Sequence, residues 1–118
     1  MPFSIVRHDD ELESIGGGLY KVRRALGATA FGINELRFPG GASGFQHDES
    51  QTQHEEVYFI IAGGAIFTVD DEDVEVVPGD YLRVDPLAAR SFVAGGDGVR
   101  ILVVGARKPD VYDGRPAL

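Results

Sequence analysis

Short stretches rich in Val, Ile, Phe and Tyr recur about every ten residues through most of this 118-residue chain, each cut off by glycine, Pro-Gly or a run of acids. Such residues suit the half-buried, pleated surface of a sheet, and breakers at this spacing leave no length for long helices. The segments are TAFGINELRF (29–38), ended by Pro39, Gly40 and Gly41; EVYFIIA (56–62), ended by Gly63 and Gly64; AIFTV (65–69), running into Asp70, Asp71, Glu72 and Asp73; and VEVV (74–77), stopped by Pro78 and Gly79. YLRV (81–84), RSFVA (90–94) and VRILVVGA (99–106) follow, separated by DPLA and GGDG. The pattern predicts an all-β sandwich or barrel. FSIVR (3–7) and LYKVRRAL (19–26) read as further edge strands, and only residues 9–14 hint at a helical turn, which Gly16 to Gly18 would end.

The totals exclude more than they propose. Nineteen Asp and Glu against eleven Lys and Arg give a net charge of −8, which argues against unaided binding to nucleic acid or to an anionic membrane surface. With no cysteine there is no disulfide framework, thiolate cluster or cysteine nucleophile. No apolar run approaches the roughly 20 residues of a membrane span. MPFSIVRHDDELES lacks the basic region and apolar stretch of a secretory signal, so a cytoplasmic location is expected. No repeat or linker divides the chain: one domain over 1–118 is expected, with its barrel at about 29–106, N-terminal strands within 2–26 and a tail at 107–118. The acids at 70–73 read as a solvated hairpin turn, since they lack the glycine and distal glutamate of a calcium loop. Lys21 and Arg23, sharing a strand face, and Arg24 read as solvated cations paired with local acids, and His8 as a solvated residue.

The chemistry concentrates in HDESQTQHEEVYFIIAGG (47–64), where two histidines and four carboxylates precede an apolar strand. On that strand Glu56, Tyr58, Ile60 and Ala62 share one face, which gains His54 when extended backward. His47, His54 and Glu56 then offer two imidazoles and a carboxylate, the ligand set of non-haem Fe(II) and acceptable to Mn(II), Ni(II) or Zn(II), with Glu49 as a fourth ligand. Blander readings compete with these: His47 as a surface histidine, His54 as a rim residue capping the strand, and Tyr58 and Phe92 as core. No Ser stands in a G-x-S-x-G elbow, and no glycine-rich loop opens a phosphate-binding helix.

Here the sequence resembles the cupin family, small double-stranded β-helix or jelly-roll barrels, over roughly residues 38–106. The family's first motif runs from a glycine through two histidines, one residue apart, to a glutamate and, after six more residues, a glycine. Gly63 fits the final glycine and Glu56 the glutamate, with VYFIIA between them. The run VYFIIAGGAIFTVDDEDVEVVPGDYLRVDP also looks like the family's strand, hairpin and Pro-Gly-Asp turn. His47 resembles the first histidine, but the second-histidine position is Glu49, and the longer segment 48–53 requires a bulge or loop. The family's last histidine lies eleven residues after the glycine of the Pro-Gly-Asp turn, and that position is Arg90. Arginine stays protonated and has no lone pair to donate, so it cannot ligate a metal.

The resemblance with these departures implies a pocket that binds a small organic molecule, an acid among the candidates, with no metal favoured. Arg90 paired with Glu56 or Glu49 would balance the charge that a metal otherwise balances, or bind a ligand's carboxylate bidentately. Glu56, His47 and Arg90 are then the candidate catalytic residues, able to abstract a proton beside a carbonyl and stabilise the enolate as isomerases and lyases do. Arg90, Phe92, Tyr58 and Ile60 would line the pocket. The alternatives are a metal-dependent dioxygenase or isomerase with Fe, Mn, Ni or Zn on His47, Glu49, His54 and Glu56, and a non-catalytic homodimer built on docked N-terminal edges.

Overall fold

The computed structural model describes residues 2–7, 10, 12–107 and 114. Its elements are β1 (Ser14–Ile15), β2 (Leu19–Tyr20), α1 (Val22–Leu26), β3 (Gly32–Phe38), β4 (His54–Val69), β5 (Glu72–Val76), β6 (Tyr81–Val84) and β7 (Arg90–Arg107). The strands form one sheet in the order β1-β2-β3-β7-β4-β5, with β6 also on β4, and every pairing is antiparallel. The expected all-β jelly-roll barrel is the fold found.

The barrel exists because its two longest strands fold over. β4 and β7 pair from His54↔Arg107 to Val69↔Arg90, with the register broken between Ile60 and Ala62 and again between Gly63 and Ala65. Glycines permit the corner. Gly63 (φ 73°) lies so close to the facing strand that a Cβ there would sit 2.0 Å from the Gly98 carbonyl oxygen. Gly98 (φ 78°) likewise leaves no room, with the Phe38 oxygen 2.7 Å from where its Cβ would stand. Together the two irregularities shift the side-chain alternation by one residue, so Tyr58 and Ile60 before the corner and Ala65 and Phe67 after it all point inward and are buried. Phe67, wholly buried, is the hub of this core: its ring centroid is 5.0 Å from that of Tyr58 and 5.2 Å from that of Phe92, which meets Phe38 edge-on at 5.0 Å. The Pro-Gly-Asp turn latches β6 onto β4, with the Gly79 amide donating to the Ile60 carbonyl (2.9 Å) and the Asp80 carboxylate accepting from Val77 N (2.9 Å).

Several sequence expectations change. Segments 56–62 and 65–69 are one strand, and so are 90–94 and 99–106, because bulged glycines bend a ladder without ending it. The strand expected from Thr29 starts at Gly32. Segment 19–26 is a strand only at Leu19 and Tyr20; Arg, Ala and Leu then favour the helix α1, which Gly27 ends in the left-handed conformation (φ 74°). Lys21 and Arg23 therefore do not share a strand face, although Lys21 and Arg24 do pair with Glu13, at 3.0 and 3.5 Å. Residues 3–7 form no strand; Phe3 and Ile5 are exposed, and Ser4 Oγ donates to the Leu26 carbonyl at 2.6 Å. The helical turn expected at 9–14 falls partly outside the described residues, and its last residue, Ser14, belongs to β1. His8 and most of the tail at 107–118 also lie outside them. The acids at 70–73 do make the β4–β5 hairpin turn, with Asp70 left-handed (φ 46°) and its carboxylate accepting from Ala89 N at 2.9 Å.

On the sheet's outer side the Glu35 carboxylate, nearly buried, accepts from Arg37 Nε (2.5 Å) and Arg100 Nε (2.6 Å) across β3 and β7. Burial would raise this carboxyl, but the hydrogen bonds and charges of Arg100 and Arg37 outweigh it and hold Glu35 below the ordinary glutamate range. A depressed folded value contributes stability above the unfolded pKa, near 4.3, that is lost as the pH falls through the folded value. Glu35→Gln should therefore flatten the fall in Tm between about pH 5 and pH 3 relative to wild type. The corner makes a second prediction in chemical denaturation. Gly79→Ala, with open space at a positive φ, should cost about 1–2 kcal/mol of backbone strain, whereas Gly63→Ala, which adds a backbone collision, should cost clearly more or prevent folding.

Candidate functional site

After β3 the chain turns through Pro39 to Gly41 and lays residues 43–47 against the start of β7, held by bridges at Ser43↔Val93 and His47↔Arg90. His47 N donates to the Arg90 carbonyl at 2.9 Å and Arg90 N to the His47 carbonyl at 2.8 Å. The loop expected at 48–53 follows. Asp48 Oδ1 accepts from Ser50 N (3.0 Å) and Ser50 Oγ (2.7 Å), Gln53 N donates to the Glu49 carbonyl (2.7 Å), and Gln53 itself is left-handed (φ 60°). The Ser50 hydrogen bonds, backbone then side chain, hold the Asp48 carboxyl below its usual range. This loop returns the chain to β4 with Glu49 and Glu56 both near the His47 ring.

His47 Nε2 stands 3.4 Å from Glu49 Oε2 and 3.9 Å from Glu56 Oε1. Its Nδ1 is 3.3 Å from the Phe45 carbonyl, so the ring has an acceptor on its Nδ1 side and two carboxylates on its Nε2 side. Tyr58 Oη donates to Glu56 Oε1 at 2.9 Å. Burial, then the charge of Glu56 and its hydrogen bond, push the Tyr58 phenol far above its usual range, so it remains a donor at any working pH. One donor atom each from His47, Glu49 and Glu56 falls within 4.8 Å of the others. An imidazole beside two carboxylates is a donor set that suits a divalent ion.

Arg90 stands apart. It is 1% exposed, and its Nη2 donates to the Asp85 carbonyl at 2.9 Å, while Nε and Nη1 find no hydrogen-bond acceptor. No ion pair within 4.0 Å joins it to Glu49 or Glu56 among the described residues. The expected Arg90–Glu pairing is therefore corrected: the two carboxylates turn to His47 and Tyr58, while Arg90 borders an apolar cavity of about 230 Å³. The cavity walls include His47, Tyr58, Phe67 and Phe92, with Leu36 and Phe38 from β3 and Ile15 and Leu19 from the β1–β2 hairpin.

The expected site is thus divided. His47, Tyr58, Arg90 and Phe92 reach the cavity; Glu56 stands behind His47 and Tyr58, and Ile60 is buried in the core without bordering the cavity. His54 is a rim residue, its Nδ1 3.7 Å from Glu49 Oε1, and it is not part of the three-donor group. The strand alternation foresaw its direction but not its position at the strand's outermost residue. Sequence reasoning missed Leu36, Phe38, Phe45, Phe67 and the N-terminal hairpin as walls. The parity of Phe67 is readable only once the bulges are known, and the hairpin's placement depends on β2 pairing with β3. Gly44 carried a hidden signal: a Cβ there would meet Phe92 Cε1 at 2.5 Å, so glycine is what lets this segment close over the ring.

Comparison with known proteins agrees with the geometry. The family model described as Cupin domain matches residues 34–105. A cupin protein from Bacteroides fragilis superposes with a TM-score of 0.73 at 24% identity, covering 96% of this chain and 100% of its own. An RmlC-like cupin from Shewanella frigidimarina gives 0.71 at 24% identity over 93% and 94% of the two chains. A cupin-superfamily sugar phosphate isomerase from Silicibacter pomeroyi gives 0.66 at 25% identity, covering 79% of this chain and 62% of its own. Among proteins of curated function none matches. From the Glu56–Gly63 spacing, the glycine-cornered barrel and the family match over most of its strands, the chain belongs to the cupin family.

Proposed function

We propose that this cupin binds a small organic acid in the cavity beside Arg90 and acts on it without a metal, as an isomerase or lyase does. The observation that carries this reading is a buried guanidinium whose Nε and Nη1 have no hydrogen-bond acceptor, in a residue that borders an apolar cavity. The Asp85 carbonyl takes one of the two Nη2 hydrogens. The other completes, with Nε or with Nη1, an edge of the guanidinium that a carboxylate engages with two parallel charge-assisted hydrogen bonds. Nε and Nη1 have almost no accessible surface, so an acid in the cavity reaches them only as the side chains packed around Arg90 move aside. Where water is excluded, a fixed cation also stabilises the negative charge that develops when a proton leaves the carbon beside a carbonyl.

His47 is the base in this scheme, because it borders the cavity and Glu56 does not. The neutral imidazole takes the proton, and Glu49 and Glu56, beside Nε2, stabilise the imidazolium that results. Tyr58 holds Glu56 in place. Returning the proton to another carbon completes an isomerisation; expelling a leaving group from the enolate completes an elimination.

A second reading rests on the three-donor group. His47, Glu49 and Glu56 would hold a divalent metal, which as a Lewis acid would polarise a substrate oxygen. Elemental analysis of protein purified without chelator or nickel resin separates the two. The metal-free reading expects no stoichiometric Fe, Mn, Ni or Zn; a stoichiometric metal that His47→Ala removes would overturn it.

Calorimetry with acetate, oxalate and phenylacetate tests the acid site: at least one should bind, and Arg90→Met should weaken it about 10- to 100-fold, the worth of hydrogen bonds to a charged group. Arg90→Met should also fold with a Tm equal to or above that of wild type, since it removes a buried cation with unsatisfied donors and keeps most of the volume. A large drop in Tm would mark the guanidinium as a structural group instead.

A further inference from the structure

We infer that the acid accepted here is a monocarboxylate with a flat apolar body, an arylacetic type of ligand, and not a sugar acid or a dicarboxylate. This deepens the reading of Arg90 as a carboxylate anchor and rests on it. Three features of the cavity carry the inference.

The first is size. An apolar cavity of about 150 Å³ takes up benzene, so the 230 Å³ present here holds a ring together with a carboxylate and a short link. The second is the wall. Leu36, Phe38, Phe67 and Phe92 supply carbon surface, and exposed Phe45 stands at the lip. Rings packed edge-on, as Phe38 and Phe92 are at 82°, are the arrangement into which another ring fits by offset or edge contact.

The third is the supply of polar partners. Among the described residues Arg90 is the one Lys or Arg on the cavity wall, and Tyr58 Oη is already committed to Glu56. Ser43, Ser91 and His47 complete the polar side chains there. A sugar acid would bury several hydroxyls against Leu and Phe, each unsatisfied group costing about 1–3 kcal/mol. A dicarboxylate would place its second charge without a cation and within reach of the Glu49 and Glu56 field. A single carboxylate on a ring leaves nothing polar of the ligand unpaired.

The test is calorimetry on the full chain with phenylacetate, its neutral isostere phenylacetamide, acetate, succinate and glucuronate. Phenylacetate should bind at least about tenfold more tightly than acetate, since the buried ring adds well over the 1.4 kcal/mol that a tenfold change represents. It should also bind at least about tenfold more tightly than phenylacetamide, succinate and glucuronate. Phe45→Ser, a change at an exposed residue that leaves the core intact, should weaken phenylacetate about three- to tenfold and leave acetate unchanged. Succinate or glucuronate binding as tightly as phenylacetate would overturn the ligand class while leaving Arg90 as an acid anchor. Phenylacetamide binding as tightly as phenylacetate, or no acid binding at all, would overturn both.

Discussion

The fold-over of β4 on itself is the constraint on which the barrel and its site depend. Tyr58 and Phe67 are nine positions apart on that strand, a distance of roughly 30 Å if it ran straight, yet their ring centroids are 5.0 Å apart. Bulges on either side of Gly63 make the return possible, and together they shift the alternation by one residue so that both arms present their apolar faces inward. β7 copies the bend through Gly95 to Gly98, which carries Arg90 from the far end of the β4–β7 ladder back to the level of Tyr58 and His47. The site is therefore a product of the corner: its residues come from opposite ends of the same ladder.

Charge in that site is distributed with a cost. The carboxylates of Glu49 and Glu56 are only partly exposed and share His47 as a neighbour, and Tyr58 adds a donor that burial keeps protonated. Arg90 has no equivalent arrangement. A guanidinium sealed in the barrel with two nitrogens lacking acceptors is several kcal/mol less stable than one in water. A fold that needed only stability would place an aliphatic side chain of similar volume there. Retaining a cation against that cost is what a binding residue does when its partner is a ligand rather than another side chain. Glu35 on the outer face shows the contrast: two arginines satisfy it from within the chain, and nothing about it points to a ligand.

The sequence made most of the barrel legible, because strand spacing and breakers survive translation into structure even where their exact extent does not. The Glu56–Gly63 spacing located the site, and alternation correctly set Tyr58, Arg90 and Phe92 inward. Glycine pairs were misleading. They read as strand ends, but in a barrel they mark corners of strands that continue. The N-terminal edges failed for a different reason: a five-residue helix with a glycine cap has too little periodicity to be told from a strand. The Arg90–Glu pairing failed because charge complementarity alone does not give distance. His47, tied to Arg90 by backbone hydrogen bonds, takes both carboxylates before the guanidinium can.

On the function proposed above Arg90 takes an anion, and a crystal structure of the protein grown with phenylacetate tests it directly. The carboxylate should lie with both oxygens at about 2.7–2.9 Å from guanidinium nitrogens of Arg90, Nε or Nη1 among them, and its ring against the Phe38 and Phe92 pair on the cavity side. A guanidinium turned onto Glu49 or Glu56, with the cavity beside it filled by protein or by the ligand in another orientation, would contradict it.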